Sequence, residues 1–239
     1  MGRAPALLAL GAGLLTWYEL VPHLGALALW PSVLVVALAL MPASFAIVWL
    51  ALPLWDSRHL LAIALAAIAA AVALSLLDVE IPANFAKLAA MTAVGWLFLT
   101  LFEALSWVVA VALLIPWVDA YSVWRGPTRA ITTHHASVFT TLSVAFVVPG
   151  GGTARLGLPD VMFFAVFLAA SARFGLRPLA TWSAMTAALG VTMILTTVWV
   201  TGGLPALPGI SLGFLLANAD LIWRRLVRRG HTSLEPAGG

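Results

Sequence analysis

Two aspartates stand where carboxylates are expensive. Asp119 lies in "LLIPWVDAYSVW" and Asp160 in "LGLPDVMFF", each within a run apolar enough to span a membrane. An unpaired ionised aspartate at the centre of a bilayer costs from ~3 kcal/mol upward, and less near an interface. Such a residue calls for a function or a named partner. The other acidic residues have simpler accounts. Asp56, Asp78, Glu80 and Glu235 fall in polar breaks or the tail, and Glu19 and Glu103 at span ends where they can snorkel. Asp220 lies one helical turn before Arg224, which predicts a local ion pair.

Asp119 sits six residues before the expected end of its span at Arg125, on the order of 9 Å inside that end at ~1.5 Å per residue. Asp160 is about four residues, roughly 6 Å, into a span beginning near Leu156. If the connector 126–155 does not cross the membrane, the two carboxylates lie on one side at similar depth. Arg125 and Arg155 point toward the interface and offer a competing, purely structural pairing. The sharper reading is a carboxylate dyad. Two carboxyls that share a site cannot both ionise, so one keeps its proton and the other does not. That pair supplies a general base to activate water and a general acid to protonate a leaving amine, with no metal or thiol.

A third feature returns to the same side. The turn "TGGLPALPG", Thr201 to Gly209, follows one span away from the aspartates and one back. Its prolines and glycines forbid a regular helix. Irregular backbone at membrane depth is tolerated only where it lines a cavity or is buried in protein. Unwound backbone beside a carboxylate pair can hold an extended peptide by its main chain, as in β-addition. An ordinary turn is the plainer alternative.

The elements that must carry these residues follow from composition. Of 239 residues, 63% are hydrophobic and 9% charged, with a mean hydropathy of +1.06. Soluble domains carry roughly 25% charged residues, so a single aqueous domain is excluded. Runs of about 20 apolar residues recur throughout. They predict spans near 5–21, 30–54, 59–77, 84–102, 104–125, 156–174, 178–200 and 204–224. The run 24–54, broken by Pro31, Pro42 and Pro53, reads as one tilted span or two short ones. Ala136–Val148 is too short to span comfortably and is expected to lie at the interface, re-enter or pack against the bundle. The expected class is therefore all-α, a polytopic membrane bundle of eight or nine spans. It divides into a scaffold over 1–104, a catalytic region over 105–225 and a polar tail over 226–239. Arg3, an apolar run and a small-residue "ALA" at Ala26–Ala28 resemble a signal peptide, but Glu19 and His23 intervene, and a retained first helix is expected. No soluble domain is expected before or after the membrane part. Cysteine is absent, which excludes disulfides and thiolate metal sites. His134-His135 lacks metal-ligand spacing and reads as a polar loop. No cofactor and no nucleic-acid partner are expected; the partners are the lipid bilayer and a substrate, with the oligomeric state open.

The ordered set of motifs resembles the presenilin and signal-peptide-peptidase family of intramembrane aspartyl proteases. That family carries Tyr-Asp, then Gly-x-Gly-Asp, then Pro-Ala-Leu. Here Asp119 is followed by "AYSVWRGP", Gly157 opens "GLPD" ending at Asp160, and Pro205-Ala206-Leu207-Pro208 comes last. Gly126-Pro127 is similar to presenilins as well. The likeness covers roughly 105–225, with nothing specific in the first hundred residues. It implies a presenilin-like fold, Asp119 and Asp160 as the catalytic pair, and transmembrane proteins as substrates. It also implies substrate contact by Pro205, Ala206, Leu207, Gly157 and Pro159, with Tyr121 near the first aspartate. Two departures stand out: Val118 replaces the family's tyrosine, although Tyr121 is close by, and Pro159 replaces its second glycine.

Other classes compete. "GISLG", Gly209–Gly213, matches Gly-x-Ser-x-Gly, but that pattern needs a strand–turn–helix context. Intramembrane acids also serve as relays in proton-coupled transporters, and a catalytically inactive relative would keep the same residues. With eight spans, Arg3, Arg58, Arg173, Arg177, Arg224, Arg225, Arg228 and Arg229 share one side, and Lys87, Arg125, Arg129 and Arg155 the other. The positive-inside rule then predicts a cytoplasmic carboxyl tail.

Overall fold

A computed structural model describes residues 2–125, 136–199 and 204–232. Among the described residues it has nine helices and one two-stranded antiparallel sheet. In chain order these are α1 (Arg3–Leu20), α2 (Leu29–Asp56), α3 (Leu60–Leu76), α4 (Glu80–Leu99) and α5 (Leu105–Trp124). Then come α6 (Ala136–Thr141), β1 (Ser143–Val148), β2 (Gly152–Gly157), α7 (Leu158–Arg173), α8 (Pro178–Trp199) and α9 (Leu207–Thr232). Each of the eight expected spans has its helix. Arg3–His23, Leu29–Asp56, Glu80–Leu99, Leu105–Trp124 and Pro178–Val198 are long and apolar enough to cross a membrane. Residues 1, 126–135, 200–203 and 233–239 lie outside the description, and with them Gly126-Pro127, Arg129, His134-His135 and Glu235.

The run with three prolines is one continuous rod, not two short spans. Each proline falls where a helix can accept it. Pro31 sits in the first turn, Pro42 lies two residues past a π-turn over Val36–Leu40, and Pro53 lies in the 3-10 turn Leu52–Asp56 that ends the rod. The π-turn absorbs the missing amide and the ring of Pro42. At 28 residues the rod is about 42 Å long, more than the ~30 Å of hydrocarbon, so it is long enough to cross a membrane with tilt.

The expectation of an all-α chain is corrected by the hairpin. The chain "SVAFVVPGGGTARLG" pairs Ser143 with Gly157 through Val148 with Gly152. A β-branched and aromatic run, a proline–glycine turn and a second short run make this a strand–turn–strand signal. The turn needs glycine twice: Gly150 and Gly151 both have φ near the left-handed region, at 93° and 81°. The hairpin folds back on itself, and Leu158 N–H bonds Leu142 C=O at its base. It therefore begins and ends at one level.

At the centre runs α7. Val161 and every residue from Phe164 to Ala170 have no exposed surface. A helix apolar all round is one buried all round. Its closest neighbour is α4, where a Cβ on Gly95 would lie 2.5 Å from the Met162 carbonyl oxygen. The α8–α9 pair closes similarly: a Cβ on Gly213 would lie 2.7 Å from Met185 N. "GISLG" is thus a small-xxx-small packing seam rather than a hydrolase motif. Ser211 is buried within a helix, away from any strand–turn–helix elbow. By contrast α5 packs chiefly on α9, touches α7 lightly, and leaves Trp107, Leu113, Leu114, Trp117 and Val118 exposed.

Candidate active site

Three elements meet at one end of the bundle. Asp119 is carried by the last turns of α5, three residues after Pro116 inside that helix. Asp160 is in the first turn of α7, and Pro205–Leu207 lead into α9. The Oδ2 of Asp119 accepts a hydrogen bond from Leu207 N–H at 3.0 Å, and the neighbouring amide of Ala206 also points at this carboxylate. The N-terminus of a helix presents unpaired amides and a positive dipole end, so it suits an anion. Pro205, Ala206 and Leu207 are all buried, as the expectation for unwound backbone at depth requires.

Asp160 is held from the other side. Its Oδ2 accepts the Gly157 N–H at 3.1 Å, so it caps the helix that carries it. Asp119 is near enough to Asp160 for the two carboxyls to interact electrostatically. Both aspartates are half-buried. Among the described residues neither has an arginine partner: Arg155 Nη1 reaches Ser143 Oγ instead, and the single ion pair is between Arg177 and Asp220. That pair corrects the expected Asp220–Arg224 contact. Asp220 binds Arg177 in a bidentate fork at 2.7 and 2.8 Å, because the turn between α7 and α8 delivers a planar guanidinium to it.

The departures from the family pattern also have positions. Pro159 occupies the first turn of α7, where its missing amide leaves no helical bond unmade. Tyr121 is 65% exposed. Two residues from Asp119 on a helix of 3.6 residues per turn, it projects to nearly the opposite side. The structure thus gathers Asp119, Asp160, Gly157 and Pro205–Leu207, with Pro159 at the rim, and leaves Tyr121 outside.

The hairpin meets this site directly, since β2 runs into Gly157. Asn84 on α4 bonds both the N–H and the C=O of Ala145, at 2.7 and 2.9 Å. Those groups therefore face away from β2. Ala145 stands opposite Arg155, so by antiparallel alternation Thr153, Arg155 and Gly157 turn their main-chain groups outward too. Gly157 N–H is taken by Asp160. For Thr153 and Arg155 no described residue pairs with these groups. Among the described residues, the strand edge that leads to the second aspartate is thus left uncovered. Sequence reasoning missed both the edge and Asn84, an amide inside what read as a polar break at Asp78–Lys87. The signals were the PGGG turn and a lone asparagine on an apolar helix face.

Among the described residues no cluster of His, Asp or Glu could hold a metal ion. No protein-family model, no curated protein and no solved structure matches this chain.

Proposed function

We propose that this chain is a presenilin-like intramembrane aspartyl protease, which hydrolyses peptide bonds within or near transmembrane helices of other proteins. One observation carries the reading. The carboxylate of Asp119 is bonded to the amide of Leu207, in Pro-Ala-Leu, while acting electrostatically on Asp160. Two intramembrane acids and an unwound turn, far apart in sequence, share one site, as peptide hydrolysis requires and as a bare proton relay does not.

A substrate helix must unwind before its carbonyl can be attacked. The open edge of β2 and the turn before α9 offer main-chain partners to such an extended segment. Between them the carboxylate pair divides its roles. The ionised aspartate takes a proton from a water, which attacks the carbonyl carbon. The protonated one donates to the carbonyl oxygen, giving a gem-diol; as the C–N bond breaks, the leaving nitrogen takes the proton the first aspartate drew from water, and a diol hydroxyl returns a proton to the second. Basic residues favour a cytoplasmic carboxyl tail, which opens the site toward the outer or luminal half.

The test is cleavage of a transmembrane peptide by the purified protein in detergent. Asp119→Asn and Asp160→Asn should each abolish it with helicity unchanged. Full activity in either variant, or solute uptake in liposomes without cleavage, overturns the reading. A reporter fused after Gly239 that works only when exported overturns the orientation.

A further inference from the structure

The outer edge of β1 is closed by side chains from the part of the chain that carries no family motif. The carboxamide of Asn84 accepts from Ala145 N–H and donates to Ala145 C=O, so it occupies the place of a third strand's peptide group. Tyr18 Oη donates to the same carbonyl at 2.6 Å, and Trp17 Nε1 donates to Val147 C=O at 3.1 Å. Asn84 and Tyr18 are buried. A sheet edge with unpaired amides invites another strand. Here one edge is terminated and the other is left open.

We propose that Asn84, with Tyr18 and Trp17, is the positioning device that makes β2 the sole docking edge of the hairpin and fixes its register relative to Asp160. This rests on the protease reading above. Asn84 lies outside the site and acts through Ala145 and the cross-strand pair Ala145–Arg155. Leucine or alanine at this position would leave the Ala145 groups unpaired and buried, and the hairpin would gain freedom to slide or tilt. The arrangement also explains why an asparagine is kept within an apolar helix: a buried amide is tolerable when its donor and acceptor are both used. The remaining donor of Asn84 approaches Tyr18 Oη at 3.4 Å.

The chain has no cysteine, so a single disulfide can be introduced cleanly. Val147 faces Thr153 across a non-hydrogen-bonded pair, where Cα atoms are ~4.5 Å apart and a disulfide fits. Asn84→Ala should cut the rate of cleavage by about tenfold or more and spread cleavage to neighbouring bonds. Amide exchange at Ala145 should rise by about twenty-five-fold, at about fivefold for each of two lost bonds. In the triple variant Asn84→Ala, Val147→Cys, Thr153→Cys, the oxidised protein should regain rate and cut position relative to its own reduced form. Should Asn84→Ala fail to fold, Tyr18→Phe combined with Trp17→Phe should give the same changes, smaller. Wild-type rate and cut position in Asn84→Ala, or an oxidised triple variant no better than the reduced one, overturns the proposal. Absence of Asp119-dependent cleavage in the unsubstituted protein overturns only the protease reading. Unchanged exchange at Ala145 in Asn84→Ala overturns the lock itself.

Discussion

Gly95→Ala adds one methyl group that touches neither aspartate, and it should nevertheless slow the proposed cleavage. The new Cβ would stand 2.5 Å from the Met162 carbonyl oxygen and 3.1 Å from Ala165 Cβ, where ordinary contact begins at 3.4 Å. A backbone carbonyl in a fully buried helix cannot turn aside. The helices must part by roughly 1 Å, at an overpacking cost of about 1–3 kcal/mol. Met162 is two residues past Asp160, so the shift reaches the carboxylate almost undiminished. A misplacement of about 1 Å at reacting groups can cost on the order of a hundredfold in rate. Thermal melting in detergent and kcat on a transmembrane peptide should therefore fall together. Gly13→Ala is the matched control, because nothing lies within 4 Å of its added Cβ. It should leave rate unchanged. Wild-type kcat and melting in Gly95→Ala would refute the close approach of α4 to α7 and the mechanical link drawn from it.

Other outcomes follow from single contacts. Leu207→Pro removes the amide bonded to Asp119 and should lower kcat on the order of tenfold or more, as for a hydrogen bond to a charged group. Leu207→Ala keeps that amide and should cost mainly stability, and equal kcat losses would refute the assigned bond. Pro159→Gly should broaden the cut positions or raise turnover by restoring an N–H and backbone freedom at the rim of the site, whereas unchanged products would show the proline to be neutral. Asp220→Ala breaks the fork with Arg177. It should shift melting only slightly, because the pair is solvent-exposed and such pairs contribute little.

Hydropathy made the eight helices legible, since a backbone in lipid has to satisfy itself and length then follows from membrane thickness. The aspartates were legible for the converse reason: each is conspicuous because its surroundings are apolar. Their meeting with Pro205–Leu207 followed from chain order, given a connector that returns. Ala136–Val148 is too short to span and is expected to lie at the interface, re-enter or pack against the bundle, and its β1 part does pack on α4; the strand pairing is less legible, because it depends on the PGGG turn and the second run beyond it. Asp220 was assigned its neighbour in sequence, yet the partner was Arg177, brought across from another turn. Asn84 stands out in the sequence only as a lone amide on an apolar helix face, because its role depends on a strand more than fifty residues away. Tyr121 was proposed from proximity in sequence, which helical geometry then turned to the wrong side.

The unequal seating of the two carboxylates has a mechanical consequence. Asp160 rides on the most enclosed helix of the bundle, clamped at Gly95 and surrounded on all sides. Asp119 rides on a helix with a proline three residues upstream and one main neighbour, α9. A change in the gap between them must be borne by α5, since moving α7 would disturb the whole interior. The candidate site therefore has a fixed jaw and a hinged one. The amide of Leu207 is the stop against which the hinged jaw closes.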